Sequence, residues 1–282
     1  IADEEIGYLL APDRQVRRMG NEISINQYSM RSKVIEPNRP NGTLRVLAIG
    51  DSIVNGGWWT DQQETITAMM EKELTGLSSF DEVEVLNASA NSWGPRNELA
   101  YLKRFGLLDS QVLILIINTD DLFATAPTSI PVGRDRNYPS KKPPLALVEL
   151  WQQTVAKPKP IPEMEEVRAE RGDRVGFNLE AIAQMKAIAT QNNARFILAM
   201  TPLLRELQGT GSKDYELKAR ERLNKFVETE GIVYIDFLPI FNKLPQPEFF
   251  YRDHIHLSPP GNSLVSETLT RSVLEVRSQE LR

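Results

Sequence analysis

Five short apolar runs alternate with segments of helical periodicity, and this constrains the chain more than anything else in it. Residues 44–50 (LRVLAIG) form a continuous apolar run ending in glycine. That is the pattern of a strand buried on both faces of a parallel sheet. Residues 83–87, 111–118 (QVLILIIN), 195–201 (RFILAMT) and 232–237 (IVYIDF) repeat it. Between and after them, residues 61–77, 96–105, 177–191, 213–229 and 259–276 read as helices. Strands that alternate with helices predict an α/β fold, a doubly wound parallel sheet. Ligands of such sheets bind at the carboxyl ends of the strands.

The regular pattern covers residues 44–282, which we expect to be the main domain. Residues 1–43 read as an irregular arm with a hairpin, leaning on it. Residues 123–175 break the alternation and hold eight of the 18 prolines. We read them as an insertion over the active edge, a lid, with a helix at 145–155 that carries Trp151. The run RQVRR at 14–18 reads as a solvated face.

Composition excludes several functions. Lys and Arg number 33 against 38 Asp and Glu, a net charge of −5. A nucleic-acid partner is not expected of so acidic a chain. Without cysteine there is no disulfide framework, thiolate metal site or cysteine nucleophile. The longest apolar run, 112–117, is far short of the ~18 residues a membrane span needs. The sequence begins with Ile1 rather than Met, and we expect a protein outside the cytoplasm, periplasmic or anchored through an upstream segment. No cofactor is implied. The oligomeric state is left open.

The chemistry is concentrated in two short blocks. The chain's only two histidines share one tetrapeptide, Asp253-His254-Ile255-His256. Histidine is the usual neutral-pH base, so a histidine base must come from here. Asp253 and His256, three apart on one turn, can touch, and the carboxylate can orient the imidazole. The other block is Gly50-Asp51-Ser52, directly after the first strand. Ser52 then sits where backbone N–H groups can receive an oxyanion.

With the serine block first and the D-x-x-H block just before the final helix, the sequence resembles the SGNH (GDSL) hydrolase superfamily. The resemblance spans roughly residues 44–122 and 176–277. It implies a flavodoxin-like three-layer fold, with Ser52 as nucleophile, His256 as base and Asp253 as the orienting acid. It also implies an oxyanion hole built from the Ser52 N–H, a Gly N–H after the second strand and an Asn side chain after the third. Here the expected glycine falls near Asn91 or Ser92, with Gly94 the nearest true glycine. The expected Asn-Asp-Leu aligns with Asp120-Asp121-Leu122, so a carboxylate stands where the amide belongs. Asn118 is the other candidate donor. Around Ile25-Asn26 and Met30-Arg31 the arm looks like segments that precede G-D-S in bacterial members acting on exported polysaccharides.

Three tryptophans, Trp58, Trp59 and Trp93, follow these blocks closely. Indole faces suit sugar rings. We therefore expect a serine esterase or acyl transferase acting on O-acyl groups of carbohydrate, with a small-molecule or glycan ester as partner. Two other readings use the same residues. One is a non-catalytic glycan binder in which Asp120 has disabled the site. The other is a metal-dependent phosphohydrolase with ligands among Asp51, Asp120, Asp121, His254 and His256, although a glycine-rich phosphate loop is missing.

Overall fold

The computed structural model describes residues 1–140, 160–209 and 211–278. The expected helix at 145–155, with Trp151, lies outside the described residues. Two antiparallel hairpins open the chain: β1 (Ala2–Asp3) with β2 (Gly7–Tyr8), and β3 (Arg14–Arg18) with β4 (Asn21–Ile25). The central sheet has five strands: β5 (Thr43–Gly50), β6 (Glu82–Ser89), β7 (Val112–Asn118), β8 (Arg195–Thr201) and β9 (Val233–Asp236). Their order is β6-β5-β7-β8-β9 and every pairing is parallel.

The helices are α1 (Ser52–Asn55), α2 (Ile66–Leu77), α3 (Pro95–Phe105), α4 (Pro162–Arg168), α5 (Arg174–Gln191), α6 (Asp214–Glu230), α7 (Leu238–Phe241) and α8 (Pro259–Ser278). Alternate residues of each strand point to opposite faces of the sheet. Leu47, Ile49, Leu113, Leu115 and Met200 therefore pack with α3, α5 and α6 residues such as Leu102, Ile182 and Leu223. Val46, Ala48, Ile114, Ile116 and Ala199 pack on the other face with Met70, Leu74, Val265 and Leu269 of α2 and α8. The result is three layers, with β5 and β7 buried on both sides.

The arm is more than an appendage. Ile6, Leu9, Met30 and Ile35 are buried in the core on the α3 side. Gly50 closes β5. A Cβ there would lie 2.5 Å from the Ile116 carbonyl oxygen of β7. Only glycine lets the chain turn at this point without pushing the two central strands apart.

Candidate active site

β5 delivers Ser52 as the first residue of α1, where helix N–H groups have no intrahelical acceptor. Asp51 caps the turn, its Oδ1 accepting the Ile53 N–H at 2.8 Å. The second block arrives from the far end of the chain. An antiparallel bridge between Tyr251 and Leu257 holds the loop that carries it. Tyr251 Oη donates to the Pro202 carbonyl at 2.6 Å, and Gly261 packs so closely that a Cβ would meet the Phe250 carbonyl at 2.1 Å. The loop is thus tied to β8 on one side and to α8 on the other.

These anchors bring residues 204 positions apart together. His256 Nε2 lies 2.9 Å from Ser52 Oγ, and His256 Nδ1 lies 2.8 Å from Asp253 Oδ2. The Asp253 carboxylate selects the tautomer with hydrogen on Nδ1, which leaves the Nε2 lone pair facing the Ser52 hydroxyl. Asp253 Oδ1 also accepts the Ile255 and His256 N–H groups. Partial burial opposes its charge, but these hydrogen bonds outweigh it and hold the carboxyl below the usual range. His254 is placed elsewhere: its imidazole is 83% exposed.

Behind Ser52 lies a buried acidic zone. Asn118 Nδ2 donates to Asp51 Oδ2 at 2.9 Å and to Asp121 Oδ2 at 2.8 Å. Burial pushes Asp51 up to about 6, despite the Ile53 N–H and His256. Burial, then the charge of Asp51, pushes Asp121 well above the usual range. Glu98 of α3 is fully buried, neither carboxyl oxygen has a hydrogen-bond partner among the described residues, and burial followed by Asp51 raises it strongly too.

This arrangement corrects the expected oxyanion donors. An amide has two hydrogens, and Asn118 spends both on Asp51 and Asp121. Nor is the Gly94 N–H free, because it donates to Asn97 Oδ1 at the start of α3. Ser92 takes the place of the expected glycine in backbone terms, with a left-handed φ of 58°. Tyr138, from the insertion, donates to its Oγ at 2.8 Å. Asp120 lies at the surface with its N–H bonded to Asn118 Oδ1. Its carboxyl is raised by partial burial, with Arg205 opposing and Glu216 and Glu206 adding.

Trp93 is also a correction. It is 1% exposed, donates Nε1–H to the Tyr8 carbonyl and packs on Tyr101, so it belongs to the core and cannot meet a substrate. Trp58 and Trp59 are half-buried at the site. Their rings meet edge to face at 5.6 Å, and the Trp59 ring lies 4.7 Å from the His256 ring.

The buried Arg31 fixes their loop. Its guanidinium donates to the carbonyls of Asn55, Gly57 and Thr60 at 2.6, 2.6 and 2.5 Å. The candidate metal ligands are not gathered: among the described residues no three His, Asp or Glu side chains are placed to hold an ion. Sequence reasoning missed Glu98, Tyr138 and Arg252, whose guanidinium carbon lies 5.1 Å over the Trp59 ring. Glu98 had a signal, since it shares the apolar face of its helix with Tyr101 and Leu102.

No curated protein matches the sequence. Solved structures do. A lipase/acylhydrolase from Enterococcus faecalis aligns with a TM-score of 0.51 at 13% identity, over 82% of this chain and 95% of that one. An acetyl xylan esterase aligns with 0.53 at 15% identity, over 82% of this chain and 100% of that one. An acetylxylan esterase from Geobacillus stearothermophilus gives 0.51 at 15%, over 82% and 93%. At such identities these likenesses show the fold. The sequence profile of one family matches residues 48–264, from within β5 into α8 and across both the serine and the histidine block. The chain belongs to the GDSL-like lipase/acylhydrolase family, the esterase- and lipase-type hydrolases of the SGNH superfamily.

Proposed function

We propose that this protein is a serine esterase that removes or transfers O-acyl groups of carbohydrate. One observation carries the reading: Ser52 Oγ, His256 and Asp253 stand in line at 2.9 and 2.8 Å. In the reaction, Ser52 Oγ attacks the ester carbonyl while its proton passes to His256 Nε2. Asp253 stabilises the imidazolium. The tetrahedral intermediate collapses, the C–O bond to the sugar breaks, and the sugar oxygen takes the proton from His256. Water, or an acceptor hydroxyl, then repeats the sequence on the acyl-serine.

The N–H groups of Ser52 and Ser92 are the proposed oxyanion donors. The left-handed backbone of Ser92 supports its part in this. The third donor of the pattern has no counterpart when Asp120 is ionised. Trp58 and Trp59 form the proposed sugar platform. The names of the acetyl xylan esterases among the structural likenesses agree with a carbohydrate ester.

The test is intact-mass labelling with a fluorophosphonate. Wild type is expected to gain one adduct and Ser52→Ala none. An unlabelled wild type would overturn the reading, and binding of glycan without turnover would then favour the non-catalytic alternative.

A further inference from the structure

A tight turn stands beside the nucleophile. β5 and β6 end in register at Gly50 and Ser89, and the Asn55 amide of α1 donates to the Ser89 carbonyl at 3.2 Å. Directly beyond, the Trp93 N–H donates to the Ala90 carbonyl at 3.3 Å and closes a turn over residues 90–93. Its third residue is Ser92, with φ of 58°. Glycine usually fills that place, because a Cβ disfavours the left-handed backbone by about tenfold.

Such a turn has an easy escape. Its central peptide rotates by about half a turn, and the third residue returns to negative φ. Here the central peptide joins Asn91 to Ser92 and carries the proposed oxyanion N–H. Rotation would put the Asn91 carbonyl where that N–H stood, and a carbonyl oxygen repels an oxyanion. Among the described residues nothing accepts the Ser92 N–H, so no bond of its own opposes the rotation.

Two tyrosines do oppose it. Tyr8 Oη, from β2 of the arm, donates to the Asn91 carbonyl, the other end of the same peptide. Tyr138 Oη, from the insertion, donates to Ser92 Oγ at 2.8 Å. The two tyrosine rings meet edge to face with centroids 5.1 Å apart, so each braces the other. Rotation of the peptide breaks the first hydrogen bond and moves the partner of the second.

We propose that Tyr8 and Tyr138 are positioning residues, a latch that keeps the Asn91–Ser92 peptide turned with its N–H towards the oxyanion. This rests on the esterase reading above and goes further. The arm and the insertion both act on the reaction, through hydroxyls that touch no reacting atom.

The test is kinetics on 4-nitrophenyl acetate for Tyr8→Phe and Tyr138→Phe, each with and without Ser92→Gly. Alone, each is expected to lower kcat about tenfold and to leave KM within about twofold, since an oxyanion donor acts in the transition state. Glycine takes positive φ freely, so in the Ser92→Gly background Tyr8→Phe is expected to cost less than about twofold. The Asn91 carbonyl is still there in that background, and a merely structural Tyr8 would cost as much as before. An equal loss in both backgrounds, or no loss in either, overturns the proposal.

A parent that neither cleaves 4-nitrophenyl acetate nor takes up a fluorophosphonate fails the esterase reading instead. Crystal structures of the parent and of the Tyr8→Phe, Tyr138→Phe double variant then judge the latch by itself. A positive φ at Ser92 in the parent and a negative one in the double variant support it. The same φ in both overturns it.

Discussion

At the scale of single residues, the site is set by which atoms still have something to donate. Asn118 stands at the right sheet edge but has spent its amide on two buried carboxyls. Asp120 next to it brings a carboxylate, which repels an oxyanion when ionised. We expect Asp120→Asn to raise kcat on a small neutral ester by about three- to tenfold at pH 8, within the range a single donor supplies. The gain should shrink towards pH 5, because partial burial makes this carboxyl take up its proton sooner than an ordinary aspartate as pH falls. Steady-state kinetics at both pH values decide it. This distinction was not legible in the sequence. A one-residue spacing placed Asn118 and Asp120 on the same face but could not say whose hydrogens were already committed. His256 was legible, because with two histidines and one D-x-x-H spacing the geometry had little freedom. Trp93 was misread since proximity in sequence to a motif says nothing of which way a ring points.

At the scale of elements, the sheet was readable almost strand for strand. Continuous apolar runs buried on both faces mark the strands plainly, and the 195–201 strand falls where its sequence pattern ends. The first long helix was overestimated: residues 62–64 are a 3-10 turn, and α2 begins only after Thr65 caps it. The loop 55–60 was not readable, since its shape is dictated by Arg31 from outside. Three buried carbonyls rely on that one guanidinium. Replacing it strands them, at about 1–3 kcal/mol for an unsatisfied buried group. We expect Arg31→Gln to lower stability by about 2–4 kcal/mol in urea unfolding. Below the transition, kcat should fall about tenfold, because Trp59 no longer holds its place against His256. A variant as active as the parent would show that the loop keeps its shape unaided.

At the scale of the whole molecule, buried acids set the pH at which the fold is most stable. Asp51, Asp121 and Glu98 bind protons more tightly folded than unfolded. Their ionisation therefore costs stability, beginning near pH 4 and growing as pH rises, with the Asp51 share complete above about 6. The paired carboxylates act in the opposite sense. Hydrogen bonds from Arg205 and the Lys213 N–H outweigh burial and hold Glu216 at about 2, so its contribution is lost only in strong acid. Maximum Tm is expected near pH 5, falling towards pH 8. Glu98→Met should flatten that fall by about 1–3 kcal/mol at pH 8, as removing a buried charge often does, with little effect at pH 5. A thermal melt series in both proteins measures it, and parallel curves would contradict the assignment.

The tie between Arg31 and the loop at 55–60 also bears on where this enzyme can be cut. The region shared with its family starts at residue 48, and every catalytic residue proposed here lies beyond that point. A trimmed version starting there would look complete by homology. It would lack the side chain that shapes the tryptophan loop and the Tyr8 carbonyl that receives Trp93. The working unit is longer than the inherited one, and an assay on the shorter piece would report a dead enzyme for reasons unrelated to its chemistry.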